Sequence, residues 1–322
     1  MGARWGIVAT IKASPLRTLE FAAHHLEMGA ARLHLFLDAD NAAEPALAAH
    51  PDITVIRTDA AYWRMRRPRE THRRPPDHQS RQFANAKWAY MHTDLDWIAH
   101  IDVDEFLWSD TDLGAELAVL PVECHCARIH PLEYLTPLSS GPASFKSCAT
   151  AWMQRLQETR EIYPTYGQHL NGGFLSHVAG KLFVRCGLPD MKIQIHNVTE
   201  NGLTNPGERV LVDAALLHFH ARSFRHWSRH LNYRLAKGSY RATLAPPVQP
   251  AGAPVSVPGA LNLHSLFTDL STQPGGLEHF YREVSTATPA LLSRLESFGH
   301  LRRYDIKPAD ARRKLFGKLP DH

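Results

Sequence analysis

The strongest constraint on what this chain can fold into is the alternation of strand and helix patterns in its N-terminal third. Gly6-Ile7-Val8-Ala9-Thr10-Ile11 is an unpunctuated, β-branched run and reads as a strand. Ser14-Pro15 follows, a capping hydroxyl and then a proline suited to the first helical position. Leu16, Leu19, Ala23 and Leu26 recur at helical spacing, and Gly29 ends that helix. Arg32–Leu37 and Ile53–Ile56 are further strand patterns, and Trp97–Ile101 is another apolar run. Strands separated by helices imply βαβ units, hence an α/β fold with a mostly parallel sheet flanked by helices.

In such sheets ligands bind beyond the carboxyl ends of the strands. Thr10 and Lys12 stand at the first of those ends, Asp38 and Asp40 at the second, and Asp102, Asp104 and Glu105 at the strand Trp97–Ile101. A lysine and a hydroxyl suit a phosphate or a base edge. A carboxylate suits a ribose hydroxyl or an imino proton. Asp102 and Asp104 are two apart, so on an extended chain both side chains point the same way. Two converging carboxylates repel unless a cation lies between them, and Mg²⁺ or Mn²⁺ favours such oxygen donors. Ala214-Ala215-Leu216-Leu217-His218-Phe219-His220 repeats the device, with His218 and His220 as candidate ligands completing the metal site.

Neither Gly-x-Gly-x-x-Gly nor a P-loop follows the first strand, which argues against a dinucleotide dehydrogenase and a P-loop kinase. The formal net charge of +4 over 322 residues is mild, so nucleic acid is not an expected partner. Four cysteines in a chain this long make no disulfide framework, and Cys124-His125-Cys126 lacks the second pair that a closed zinc site needs. No targeting segment and no apolar window of ~18 residues is visible, so the expectation is a cytoplasmic protein without a transmembrane segment.

Further along, Tyr62–Arg81 is an arginine-rich loop by pattern, read either as a flap over an anionic ligand or as solvated surface. A helix is predicted from about His78 to His92, with Arg81 and Asn85 on one face. Ser223–Gly238 is a basic helix, Ala245–Ala260 a proline-rich linker or lid, and residues from Leu261 on a helical extension. Three parts follow: a main domain over 1–240, a linker over 241–260, and a C-terminal extension over 261–322. The basic end, Arg312–Lys318, reads as a solvated tail, with peripheral contact to an anionic membrane surface as the alternative.

Taken together, these motifs resemble a family-2-like glycosyltransferase with a GT-A (Rossmann-like) fold, in the bacterial branch related to the DUF23-type glycan galactosyltransferases. The carrying stretches are Trp5–Lys12, His24–Ala30, Arg81-Gln82 with Asn85-Ala86, Trp97–Leu107, Gly180–Arg185 and Leu217–Phe224. The resemblance implies a nucleotide-sugar donor and a glycan or glycolipid acceptor hydroxyl. It also implies a Mn²⁺ or Mg²⁺ ion on Asp102 and Asp104, closed by His218 or His220, and an inverting displacement. Thr10, Lys12, Asp38, Arg81, Asn85 and Asp102 would meet the nucleotide. Glu133, Asp190 and Glu200 are the carboxylates that could serve as general base. Trp152-Met153-Gln154 departs from the Trp and Phe-Gly pattern common in relatives, which bears on the acceptor side. Two rival readings fit the same residues: a metal-dependent phosphoesterase, and a non-catalytic nucleotide- or glycan-binding module.

Overall fold

The computed structural model describes residues 2–66, 73–243 and 263–317. In chain order the elements begin with β1 (Trp5–Ile11), α1 (Pro15–Glu27), β2 (Arg32–Leu37), α2 (Glu44–Ala48), β3 (Ile53–Arg57), α3 (Ala60–Arg66) and α4 (His78–Met91). Then come β4 (Trp97–His100), β5 (Glu105–Ser109), α5 (Leu113–Ala118), β6 (Cys126–Tyr134), β7 (Ala143–Lys146), α6 (Trp152–Ile162) and β8 (Lys181–Arg185). Three short strands follow, β9 (Lys192–Ile193), β10 (Val198–Glu200) and β11 (Leu203–Thr204), and then β12 (Arg209–His218) and α7 (Phe224–Ala236). The last elements are α8 (Leu263–Ser271), α9 (Gly276–Ser285), α10 (Pro289–Ser297), β13 (Leu301–Tyr304) and α11 (Pro308–Phe316).

The chain forms two compact units, each discontinuous in sequence: residues 1–130, 179–216 and 307–322 make the first, and 131–178 with 217–306 the second. In the first, β3, β2, β1 and β4 lie side by side in that order and run parallel. Every residue of β1 and β4 is buried, as strands covered on both faces require. The class is therefore α/β, as the strand–helix alternation predicts. Beyond β4 the direction reverses: β8 pairs antiparallel with β4, and the first residues of β6 antiparallel with β8. Strands β9, β10 and β11 form a small antiparallel sheet, and β5 pairs with β12, most of which also belongs to this unit.

The cap of α1 is the one the sequence announces. Ser14 accepts from the Arg17 N–H ahead of α1, with Pro15 at the first helical position. The Asp77 side chain accepts from the Ser80 N–H ahead of α4. Tyr62, Trp63, Ala86 and Ala89 of α3 and α4 pack with Val8, Phe36 and Ile98 of the sheet. The arginine-rich stretch thus begins as helix: Asp59 accepts from the Tyr62 N–H at 2.8 Å, and Tyr62 and Trp63 bury their rings. Arg66 stacks on Tyr62 and Trp88. Arg67 and Arg69 lie outside the described residues, as does nearly all of the proline-rich stretch over 241–260.

Helix α1 carries two buried histidines that hold it to β5. His25 Nδ1 lies 2.8 Å from the Phe21 carbonyl, which can only accept, so His25 Nε2 accepts from the Leu107 N–H at 3.1 Å. His24 Nε2 donates to the Leu107 carbonyl at 2.7 Å. Helix α11 packs on α1, so the C-terminal segment 307–317 belongs to this first unit.

The second unit is built on one aromatic core. Trp227 of α7, Phe267 of α8, Phe280 and Tyr281 of α9, Tyr163 and Leu295 are all buried in it. Strands β13 and β7 pair antiparallel, and β7 pairs with the last residues of β6. Helices α8, α9 and α10 thus share a core with residues from before position 240. Among the described residues no helix is long and apolar enough to cross a membrane. All four cysteines are free thiols, and Cys124 and Cys126 are buried.

Candidate functional site

The order β2–β1–β4 brings three strand ends together at one edge of the first unit. Their polar residues form hydrogen-bonded groups with α3 and α4. The Asn85 amide donates to Thr10 Oγ1 at 2.9 Å and accepts from the Tyr62 hydroxyl at 2.6 Å. Asp38 receives Arg81 Nε at 2.9 Å, Arg74 at 2.8 Å and the Thr58 hydroxyl at 3.0 Å. Arg81 spends its other contacts on the Pro75 and Pro76 carbonyls. Thr10, Asp38, Arg81 and Asn85, expected as nucleotide contacts, are thus brought together. They are all buried and turned on one another, and they brace the floor of the edge. Lys12 is the exposed member of the set.

The acidic stretch departs from its sequence reading. Strand β4 stops at His100, and Asp102, Val103 and Asp104 lie in a turn closed by the Glu105 N–H donating to the Asp102 carbonyl at 2.9 Å. The period-two argument that aligned Asp102 with Asp104 needs an extended chain, and a turn breaks it. What meets Asp102 is a cation from the protein itself. Because β8 runs antiparallel to β4 with Ala99 opposite Phe183, its first residue, Lys181, falls beside the carboxyl end of β4. Lys181 Nζ reaches Asp102 Oδ2 at 2.7 Å and Glu105 Oε2 at 3.3 Å. Gln82 of α4 donates to Asp102 Oδ1, and the Asp102 N–H donates to Glu105 at 2.8 Å.

Electrostatics follow from that arrangement. Burial alone would raise the Asp102 carboxyl, but the Lys181 ammonium, with His100 and His78, holds it well below the usual carboxylate range. Burial would lower the Lys181 ammonium, yet Asp102 and Glu105 keep it above its ordinary value and charged. His100, fully buried behind the turn, is pushed down to about 4 by burial and by Lys181. His78, at the start of α4, lies in the field of Asp102, Asp38, Arg81 and Arg74, and burial keeps it low. Sequence reasoning missed Gln82, Lys181 and Glu105 as partners of Asp102. Gly180-Lys181 and Arg81-Gln82 were visible as motifs, but pairing them needed the antiparallel register.

A metal ligand must offer lone pairs to a cation. Both oxygens of Asp102 already accept hydrogen bonds, one of them from an ammonium. Asp102 thus already has a cation of the protein as its partner where its spacing suggested a divalent ion.

The remaining candidates lie elsewhere in the two units. In the second, His218 and His220 are buried with ring centroids 5.3 Å apart, and His177 lies 5.4 Å from His218. His220 Nε2 is 2.9 Å from the Tyr240 hydroxyl, and burial together with Arg234 holds its imidazole neutral. Glu133 is spent structurally: it accepts the N–H groups of Leu175 and Ser176 at 2.8 Å each and pairs with buried Lys146 at 3.1 Å. At 1% exposure this carboxylate is closed to an acceptor hydroxyl, which a general base must reach. In the first unit, Glu200 pairs with His125 at 2.5 Å, and Asp190 is exposed on a turn with φ 54°.

No model of a known protein family matches the sequence, and no curated protein does. Among solved structures, HddC from Yersinia pseudotuberculosis is similar at 10% identity and a TM-score of 0.28, over 67% of this chain and 76% of that one. GalNAc-T7 with UDP, GalNAc and Mn²⁺ is similar at 9% identity and 0.33, over 92% and 57%. S. aureus TarS 1-349 is similar at 10% and 0.33, over 97% and 90%. With scores this low, none of the three bears on what the chain does.

Proposed function

We propose that the chain is a nucleotide-sugar-dependent glycosyltransferase of GT-A type that acts on a hydroxyl of a glycan or glycolipid. The observation that carries the reading is the adjacency of the parallel strands β2, β1 and β4. It gathers Asp38, Thr10, Lys12 and Asp102 at the edge where α/β sheets bind ligands. The chain order of the motifs, from Trp5–Lys12 to Leu217–Phe224, supports the same reading.

Lys12 is the group for the donor diphosphate, as an exposed ammonium at the end of β1. Asp102, kept ionised by Lys181, is an acceptor for a ribose or sugar hydroxyl. The acceptor oxygen attacks the anomeric carbon, the bond to the diphosphate breaks, and the acceptor proton passes to a base, with inversion. Glu133 is not that base; Asp190 and Glu200 stay candidates by sequence alone. A divalent ion on Asp104, closed by His218 or His220, belongs to the proposal.

The test is a thermal-shift screen of nucleoside diphosphates and nucleotide sugars, each with and without Mn²⁺. A ligand bound only by the folded state raises the melting temperature by mass action. Stabilisation by one nucleotide family, lost in Lys12→Ala, supports the proposal. No shift with any nucleotide, under either condition, refutes it in favour of a hydrolase or a glycan-binding module.

A further inference from the structure

Asp102 and Glu105 are two carboxylates around one ammonium, and all three groups belong to the first unit. The Lys181 and Glu105 side chains are wholly buried, while Asp102 keeps 30% of its side-chain surface exposed. The lysine cannot swing away. Its backbone is fixed in β8 between β4 and β6, and its stem is enclosed. Leaving would strand two carboxylates and a buried cavity. Asp102 is held from the other side by Gln82, so its carboxylate plane is set by two donors from separate elements.

We propose that Lys181 is the resident counter-cation of the Asp102–Glu105 pair and excludes a divalent ion from Asp102. The turn after β4 then presents an oriented carboxylate acceptor to a hydroxyl-bearing ligand, and metal occupancy is not what organises it. Two physical facts carry this. A cation on Asp102 would sit against an ammonium 2.7 Å from the same carboxylate, and like charges at that range repel strongly in a buried site. A divalent ion also needs its ligand oxygens to turn toward it, and the Asp102 carboxylate is held in its orientation by donors on α4 and β8. The inference does not depend on the sugar-transfer reading, and its probe is the metal alone, so failure of either is seen separately.

The experiment titrates Mn²⁺ into the full-length protein and reads the free aqua ion by electron paramagnetic resonance. Asp102→Asn is expected to match the wild type within about twofold, because its carboxylate is no ligand. Lys181→Met, which keeps the stem and removes the charge, is expected to gain a Mn²⁺ equivalent at least about tenfold tighter than any comparable wild-type binding. Adding Asp102→Asn to Lys181→Met should abolish that gain. A tenfold or greater loss of Mn²⁺ affinity in Asp102→Asn alone overturns the proposal. A folded Lys181→Met with unchanged Mn²⁺ binding does so too. If Lys181→Met does not fold, the Asp102→Asn titration decides by itself.

Discussion

Asn85 is where a bracing role and a ligand-contact role make opposite predictions. Its side chain is fully buried and joins two other buried groups, the Thr10 and Tyr62 hydroxyls, at 2.9 and 2.6 Å. Asn85→Leu keeps the branched shape in a bulkier side chain and removes both hydrogen bonds. Each buried hydroxyl left unpaired costs about 1–3 kcal/mol, and the added apolar contact returns part of it, so the expected loss is about 3 kcal/mol. At about 2–4 °C per kcal/mol for a body of this size, the melting temperature should fall by about 6–12 °C. Urea unfolding of Asn85→Leu, Thr10→Val and the double variant gives the coupling directly. A bracing hydrogen bond should show at least about 1 kcal/mol of interaction between the two sites. If Asn85→Leu keeps its stability within about 0.5 kcal/mol of wild type and loses only nucleotide affinity, the bracing argument is wrong and Asn85 is a ligand contact.

Two further predictions rest on buried ionisable groups. His100 and His34 are both held down to about 4, chiefly by burial, and His24 and His25 are also lowered by burial. A base whose folded pKa lies below its unfolded value binds more protons when unfolded. Stability is therefore full above pH ~6.5 and falls as pH drops toward 4, by about 3 kcal/mol for each fully shifted histidine. The urea midpoint should decline across that window and decline less in His100→Gln; a flat profile would contradict the burial account. The Glu133–Lys146 pair gives the other prediction. Glu133→Gln leaves the Lys146 ammonium without its charge partner in a site from which water is excluded, at a cost of about 3–5 kcal/mol. Equal thermal stability of Glu133→Gln and wild type would reopen a catalytic role for this carboxylate.

The α/β class, most of the strands and the cap of α1 were legible in the sequence because each is written in local periodicity. Gly6–Ile11 alternates nothing and is buried throughout; Ser14-Pro15 supplies its hydroxyl and fixed φ within a few residues. The helix predicted from about His78 to His92 runs His78–Met91 for the same reason. The polar strand ends were legible too, since each follows its apolar run directly. What those ends do to one another was decided only by the tertiary structure. Asp102 and Lys181 are 79 residues apart, and nothing local announces that β8 reverses direction beside β4. The same reversal gives Asp102 a lysine of the protein as its partner. Glu133 and Lys146 face each other across the β6–β7 pairing. The division into units is non-local as well, since α11 returns to α1 while α8, α9 and α10 join the core around Trp227. Local propensity fixes which residues become strand, helix or turn. Only the packed sheet sets which charges meet, because desolvation and pairing are properties of neighbours in space.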